Sequence, residues 1–451
     1  MTMATWRGVT GICAFWPLGG MQVVKIDGEP RVRPAPNTYL FADGPGDYAN
    51  LEDVPDTWHF RTANLKKIAD AGFDHVRVQY EPTPIIEAIL RNDTALLDFV
   101  LTQFDLTVKA ILNANLGVAL SGILAGFAGI MPPSRVFAGI SAPEYLAYKE
   151  HLRILAERYA WTDPSMFVLE VFNEPPGNGS TVQRPAGFPN WGALYTGNWE
   201  TDYQPELYQV IRDAMPEHTV VLTCDGWSNW EILTTYDPTR YLHDTNVIWT
   251  YHPLEPTPAS LCGFIYNQYY YIQRIAYPPG FHDGDGVIGT LEGSIADMER
   301  LIALRPWVAT NGNPAATAAG LRSDLQSYYG TPEGYDFLAK YIGRITTWAR
   351  RYGIPPGNIY ASEYGSIRDN AGFPGNLLGL SIGTIGSTRL DRLHLYRDVT
   401  RVCIQNGHRR AIDHLDTPDY GITDNPSIFV GEFDPLIIDA LALRNRRLLS
   451  S

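Results

Sequence analysis

Cysteine is scarce in this chain. Its 451 residues hold four, Cys13, Cys224, Cys262 and Cys403, far apart and in no CxxC or Cys/His arrangement. That pattern argues against a zinc site. Cys13 and Cys224 fall inside apolar, strand-like runs, where cysteine acts as a small buried hydrophobe. A positive excess is missing too: 35 Lys and Arg stand against 49 Asp and Glu, a net charge of −14. Nucleic-acid partners require basic patches, so that class is set aside. No GxSxG, HExxH or P-loop motif is present, and "GVTGICAFWPLGG" does not make a dinucleotide-binding loop. "HDGDG" (282–286) lacks the third acidic ligand of a calcium loop. Nothing calls for a metal or a cofactor. Solenoid-length repeats and low-complexity tracts are also absent.

Long uninterrupted apolar runs are equally missing. No residue between Ala110 and Ser134 is charged, but Asn113, Asn115, Ser121 and the Pro132-Pro133 pair punctuate the stretch. A buried parallel strand reads the same way, so no membrane span is expected. At the N-terminus, Trp16, Pro17 and a glycine pair interrupt what would be a signal-peptide core, and no A-x-A-like site follows. We read "RGVTGIC" there as a first strand. Compartment and oligomeric state stay open.

What the chain does have is alternation. Helix-period segments precede "FDHVRVQ", "VALSGIL", "MFVLEVFNE", "TVVLTCDG", "NVIWTYHP", "IYASEYG" and "RAIDHLD". The first helix is expected to close at Gly72 and the long second one at Gly117. With "RGVTGIC" these make eight strand candidates. Repeated βα units imply a parallel sheet, and eight favour a closed (β/α)8 TIM barrel. Two connections are long. One contains "VVKIDGEPRV", with Asp27-Gly28 as a hairpin turn. The other, 254–334, is a long insertion after strand 6. We read one catalytic domain over 1–451 with this insertion embedded on the top rim, its Tyr266, Tyr269 and Tyr271 near the cleft.

Barrel sites form where strands end. Those ends hold Arg77, Asn173-Glu174, Asp225 to Trp227, His252, Glu363 and Asp413 to Asp416. Two carboxylates stand out: Glu174 in "VFNEPPG" and Glu363 in "YASEYGS". Strand ends across a small barrel can bring such a pair to about 5–5.5 Å, the spacing of a retaining glycosidase. Glu170, earlier on the same strand as Glu174, reads as a buried hydrogen-bonded partner. Trp16, Trp191, Trp199, Trp227 and Trp230 sit on loop-like ground, where one or two could serve as sugar platforms.

In order, "RGVT", "GFDHVRV", "FNEP", "DGW", "YHPLEP" and "ASEYGS" resemble glycoside hydrolase family 5, the cellulase-like family of (β/α)8 clan A, over roughly Arg7 to Asp424. The resemblance implies a cofactor-free hydrolase acting on a β-linked glucan or related carbohydrate. It implies Glu174 as acid/base, Glu363 as nucleophile and Asn173 as partner of the sugar 2-hydroxyl. Arg77 would hold the nucleophile ionised, with its pKa low, and His252 would line the −1 subsite. Trp16, Trp227 and His414 complete the expected substrate contacts. Three family features are missing: a histidine ending the third strand, the Tyr of His-x-Tyr in the sixth (here His252-Pro253-Leu254), and a Trp after the eighth. An exo-acting β-glucosidase or β-mannosidase and a non-catalytic carbohydrate-binding barrel are the alternatives.

Overall fold

The computed structural model describes residues 3–15, 21–26, 29–34, 62–124, 131, 133–175, 198–263, 268–280, 288–306, 312–330, 334–366, 386–413 and 433–441. Ten strands follow in chain order: β1 (Thr10–Phe15), β2 (Met21–Ile26), β3 (Glu29–Pro34), β4 (His75–Tyr80), β5 (Gly117–Gly122), β6 (Phe167–Glu170), β7 (Thr219–Thr223), β8 (Val247–Tyr251), β9 (Ile359–Tyr364) and β10 (Arg409–Ile412). Eight of them close a barrel in the order β1-β10-β9-β8-β7-β6-β5-β4. Every barrel neighbour pairs in parallel, and β1 pairs with both β10 and β4. The eight apolar runs read in the sequence are these eight strands, and the fold is a (β/α)8 TIM barrel. β2 and β3 form a separate antiparallel hairpin with Ile26 opposite Glu29. Its turn, Asp27-Gly28, lies outside the described residues.

Strand alternation sorts the side chains into two apolar layers. Ala4, Trp6, Cys13, Ala119, Val168, Val221, Ile248, Tyr360 and Ala411 plug the barrel's interior. The opposite faces pack against the helices: Val76, Val78 and Tyr80 of β4 join Phe104 and Val108 of helix Thr94–Asn113. All four cysteines are buried and free. No helix among the described residues is long and apolar enough to cross a membrane, and 117–122 of the uncharged stretch is β5.

One helix end differs from expectation. The long helix stops at Asn113, and Asn115, at φ 59°, makes the left-handed turn assigned to Gly117. Asparagine tolerates that conformation. Gly117 instead opens β5, where a Cβ would lie 3.2 Å from that of His75 and 3.4 Å from the Met166 carbonyl oxygen. Close approach, not turn geometry, is its reason.

The long connection after β8 carries helices Thr257–Ser260, Leu291–Leu304 and Pro314–Tyr329 before helix Gly334–Arg351 returns to the barrel. Its first turn is tied to the chain leaving β9, since Ser366 and Ser387 both donate to the Ala259 carbonyl. Tyr271 is not a cleft residue. It is buried and donates to the Arg305 carbonyl, inside the insertion's own core. Tyr269 donates to Asp324 and lines a cavity with Glu255, Tyr328 and Phe337 that none of the strand-end residues borders. Tyr266 lies outside the described residues.

Candidate active site

The site is built on two departures from strand regularity. On β9, Tyr360 points into the barrel and Ser362 meets Thr250 there, so strict alternation would send Glu363 outward. The pairing with β10 shifts, however: Arg410 faces Ala361 and Ile412 faces Tyr364. Ser362 and Glu363 thus oppose Ala411 alone. This bulge turns Glu363 inward beside Ser362. After β6, Val168 and Glu170 face in, while Val171 and Phe172 both join the outer layer. Asn173 then returns to the interior, its N–H donating to the Gly122 carbonyl at 2.8 Å.

Arg77 is the hub. Fully buried on β4, it donates through Nε and Nη2 to Glu170 Oε2 at 3.1 and 2.7 Å. Nη1 donates to Glu363 Oε1 at 2.6 Å. Nη2 also reaches Ser121 Oγ at 2.9 Å and Asn173 Oδ1 at 2.6 Å. Ser121 stands near the end of β5, and no histidine ends that strand. Asn173 Nδ2 is buried without a partner among the described residues.

Glu174 follows with φ 52°, a left-handed conformation rare outside glycine. Three more such residues hold it in place: Gly226, Trp227 and Ser228, at 65°, 67° and 57°. The Trp227 N–H donates to the Pro175 carbonyl, and the His252 N–H donates to that of Ser228, at 3.0 Å each. One strained turn therefore ties the Glu174 segment to His252. Strain of this kind costs about 1–3 kcal/mol per residue and persists where surrounding structure enforces it.

His252 joins the carboxylates. Its Nδ1 lies 2.7 Å from Glu174 Oε1 and 3.5 Å from Glu363 Oε2. Burial lowers the imidazole's pKa, while the neighbouring Glu363 raises it, and Nδ1 faces Glu174. One ligand atom each from Glu174, His252 and Glu363 lies within 4.8 Å of the others. Glu363 is not held low as expected. Burial pushes its carboxyl above the usual range, His252 and Arg77 pull it back, and Glu174 raises it again. Arg77 also holds Glu170, so its charge is divided between the two carboxylates.

Arg77, Asn173, Glu174, His252 and Glu363 thus converge. Trp227 lies beside them, half-buried. Trp16, Trp191 and His414 fall outside the described residues. Trp199 is core, its Nε1–H donating to the Thr223 carbonyl, and Trp230 stacks on Tyr341 under Arg344. Tyr251 faces away, bonded to His408. One neighbour was missed in the sequence: Gln79, two residues beyond Arg77 and so on the same inward face, donates through Nε2 to Glu363 Oε1. Period-two alternation from Arg77 would have found it.

A closed barrel with two carboxylates meeting over its strand ends has the build of a glycoside hydrolase. A family model described as Cellulase (glycosyl hydrolase family 5) matches residues 43–273, just over half of the chain. The protein belongs to that family and is a glycosidase, hydrolysing O-glycosyl bonds. No curated protein matches it. Among solved structures it is similar to the cellulose synthase subunit Z (CcsZ) of Clostridioides difficile, at 18% identity and TM-score 0.53 over 96% of this chain and 99% of that one. Endoglucanase Cel5A from the hyperthermophilic Thermotoga maritima matches at 14% identity and TM-score 0.53, over 97% of each. A GH5-4 broad specificity endoglucanase from Clostridium acetobutylicum matches at 14% and 0.50, over 84% of this chain and 89% of that one. Likeness this distant speaks for the shared fold.

Proposed function

We propose that the protein is a retaining β-glycosidase of cellulase type, cleaving a β-linked glucan or related polysaccharide by double displacement. The observation that carries the reading is spacing: a carboxylate oxygen of Glu174 and one of Glu363 lie within 4.8 Å. Inverting enzymes keep their carboxyls about 6.5–9.5 Å apart to seat a water, so this pair suits the retaining course. Glu363 attacks the anomeric carbon while Glu174 gives its proton to the departing glycosidic oxygen. Water then displaces the Glu363 ester, surrendering a proton to Glu174. Asn173 Nδ2 has a donor to spare and takes the sugar 2-hydroxyl. His252, bonded to Glu174, steers its carboxyl toward the glycosidic oxygen. Trp227 and the strand-end segments around Trp16 and His414 form the remaining sugar contacts, and the 254–334 insertion walls the top rim beside β8.

The test is the anomer first released from a β-glucan oligosaccharide, followed by proton NMR. Retention is expected, together with mixed oligosaccharides and a rapid fall in viscosity on the polymer. First release of the α-anomer would exclude double displacement. Glu174→Ala should slow substrates with poor leaving groups by on the order of 10²–10⁴ while sparing activated aryl glycosides. Equal loss on both substrates would remove Glu174 from the acid role.

A further inference from the structure

Two side chains, not one, hold the same oxygen of Glu363. Arg77 Nη1 donates to Oε1 from one residue of β4, and Gln79 Nε2 donates to it from the next inward position. Gln79 is 1% exposed, on a strand whose register is pinned by unbroken pairing with β5 from His75 to Tyr80. Its amide cannot usefully turn over. Rotation would set its oxygen against the carboxylate, and the oxygen, buried without a partner among the described residues, gains nothing by moving. Oε2 of Glu363 is placed differently: His252 Nδ1 is 3.5 Å away, beyond a good hydrogen bond, and that nitrogen is engaged with Glu174.

We infer that Gln79 is a positioning residue for the nucleophile, clamping Oε1 with Arg77 so that Oε2 is the atom that attacks. This rests on Glu363 being the nucleophile of the proposed double displacement. Both donors favour the ionised carboxylate, because each hydrogen bond is stronger to the charged form. Gln79 thereby offsets part of the burial that pushes Glu363 upward, beside Arg77, which also holds Glu170. In the glycosylation step the Oε2 lone pair forms the bond to the anomeric carbon as the bond to the leaving oxygen breaks. Oε1 stays hydrogen-bonded to both donors throughout, and the leaving oxygen takes its proton from Glu174.

The experiment reads the nucleophilic step alone: the rate of inactivation by a 2-deoxy-2-fluoro glycoside with an activated leaving group, as a function of pH. Two variants are compared with the unaltered protein. Gln79→Leu removes the donor, and Gln79→Glu keeps the shape but sets a carboxyl against Glu363. The acid limb should rise by about one pH unit in Gln79→Leu, the tenfold change in proton affinity expected from one lost hydrogen bond to a charged group. It should rise further in Gln79→Glu. Thermal midpoints checked alongside identify a variant that has merely unfolded, and the other then carries the test. An acid limb unmoved in a folded variant overturns the inference and leaves the proposed mechanism standing. No inactivation of the unaltered protein, while it still hydrolyses the glycoside, would overturn both.

Discussion

At the scale of single residues, Glu363 is pulled in opposite directions. Its carboxyl is buried, which favours the neutral acid, while Arg77, His252 and Gln79 favour the anion. The sequence suggested that Arg77 would keep it low, because a guanidinium at a nearby strand position is legible as a charge partner. What the sequence does not display is how that charge is divided. Two of the contacts from Arg77 go to Glu170. The acid limb of kcat/KM on an activated aryl glycoside, a substrate needing little protonation, should therefore lie above the ordinary glutamate value of 4.5. Glu170→Gln turns a charged competing acceptor into a neutral one and removes a nearby negative charge, so it should move that limb to lower pH. An upward or absent shift would mean that Arg77 does not divide its charge in this way.

At the scale of elements, the strands were readable and their ends were not. Apolar runs between helix-period segments identify all eight barrel strands, because a strand buried on both faces has to be apolar throughout. A bulge has no such signature. Glu363 counts as outward by alternation from Tyr360 and is inward only because two residues of β9 oppose one of β10. The four left-handed residues at Glu174 and 226–228 are similarly invisible, since only Gly226 advertises such a backbone. Within β1, Gly11 shows a constraint of another kind. A Cβ there would run into the His75 ring, which is fixed between Asp74 and Tyr360. Gly11→Ala should cost about 1–3 kcal/mol of stability by overpacking, read as a lower denaturant midpoint with the slope unchanged. A neutral result would mean that the β1–β4 contact can open.

At the scale of the whole molecule, the barrel and its insertion meet across a second acidic group. Burial raises Glu255, three residues beyond His252, to about 8, and its Oε2 has no partner among the described residues. A glutamate that binds its proton more tightly when folded contributes stability below its unfolded pKa and loses it as pH rises toward the folded one. Between about pH 5.5 and 7 that loss should run at about 1.4 kcal/mol per pH unit, easing through pH 8 and ending above it. Glu255→Gln should flatten this slope relative to the unaltered protein, and parallel pH–stability curves for the two would contradict it. The central claim concerns the other two glutamates, and covalent trapping tests it most directly. After inactivation with a 2-deoxy-2-fluoro β-glycoside, peptide mass spectrometry should find one sugar on the fragment spanning "YASEYGS", attached to Glu363. A label on Glu174 or on any other carboxylate would contradict the account.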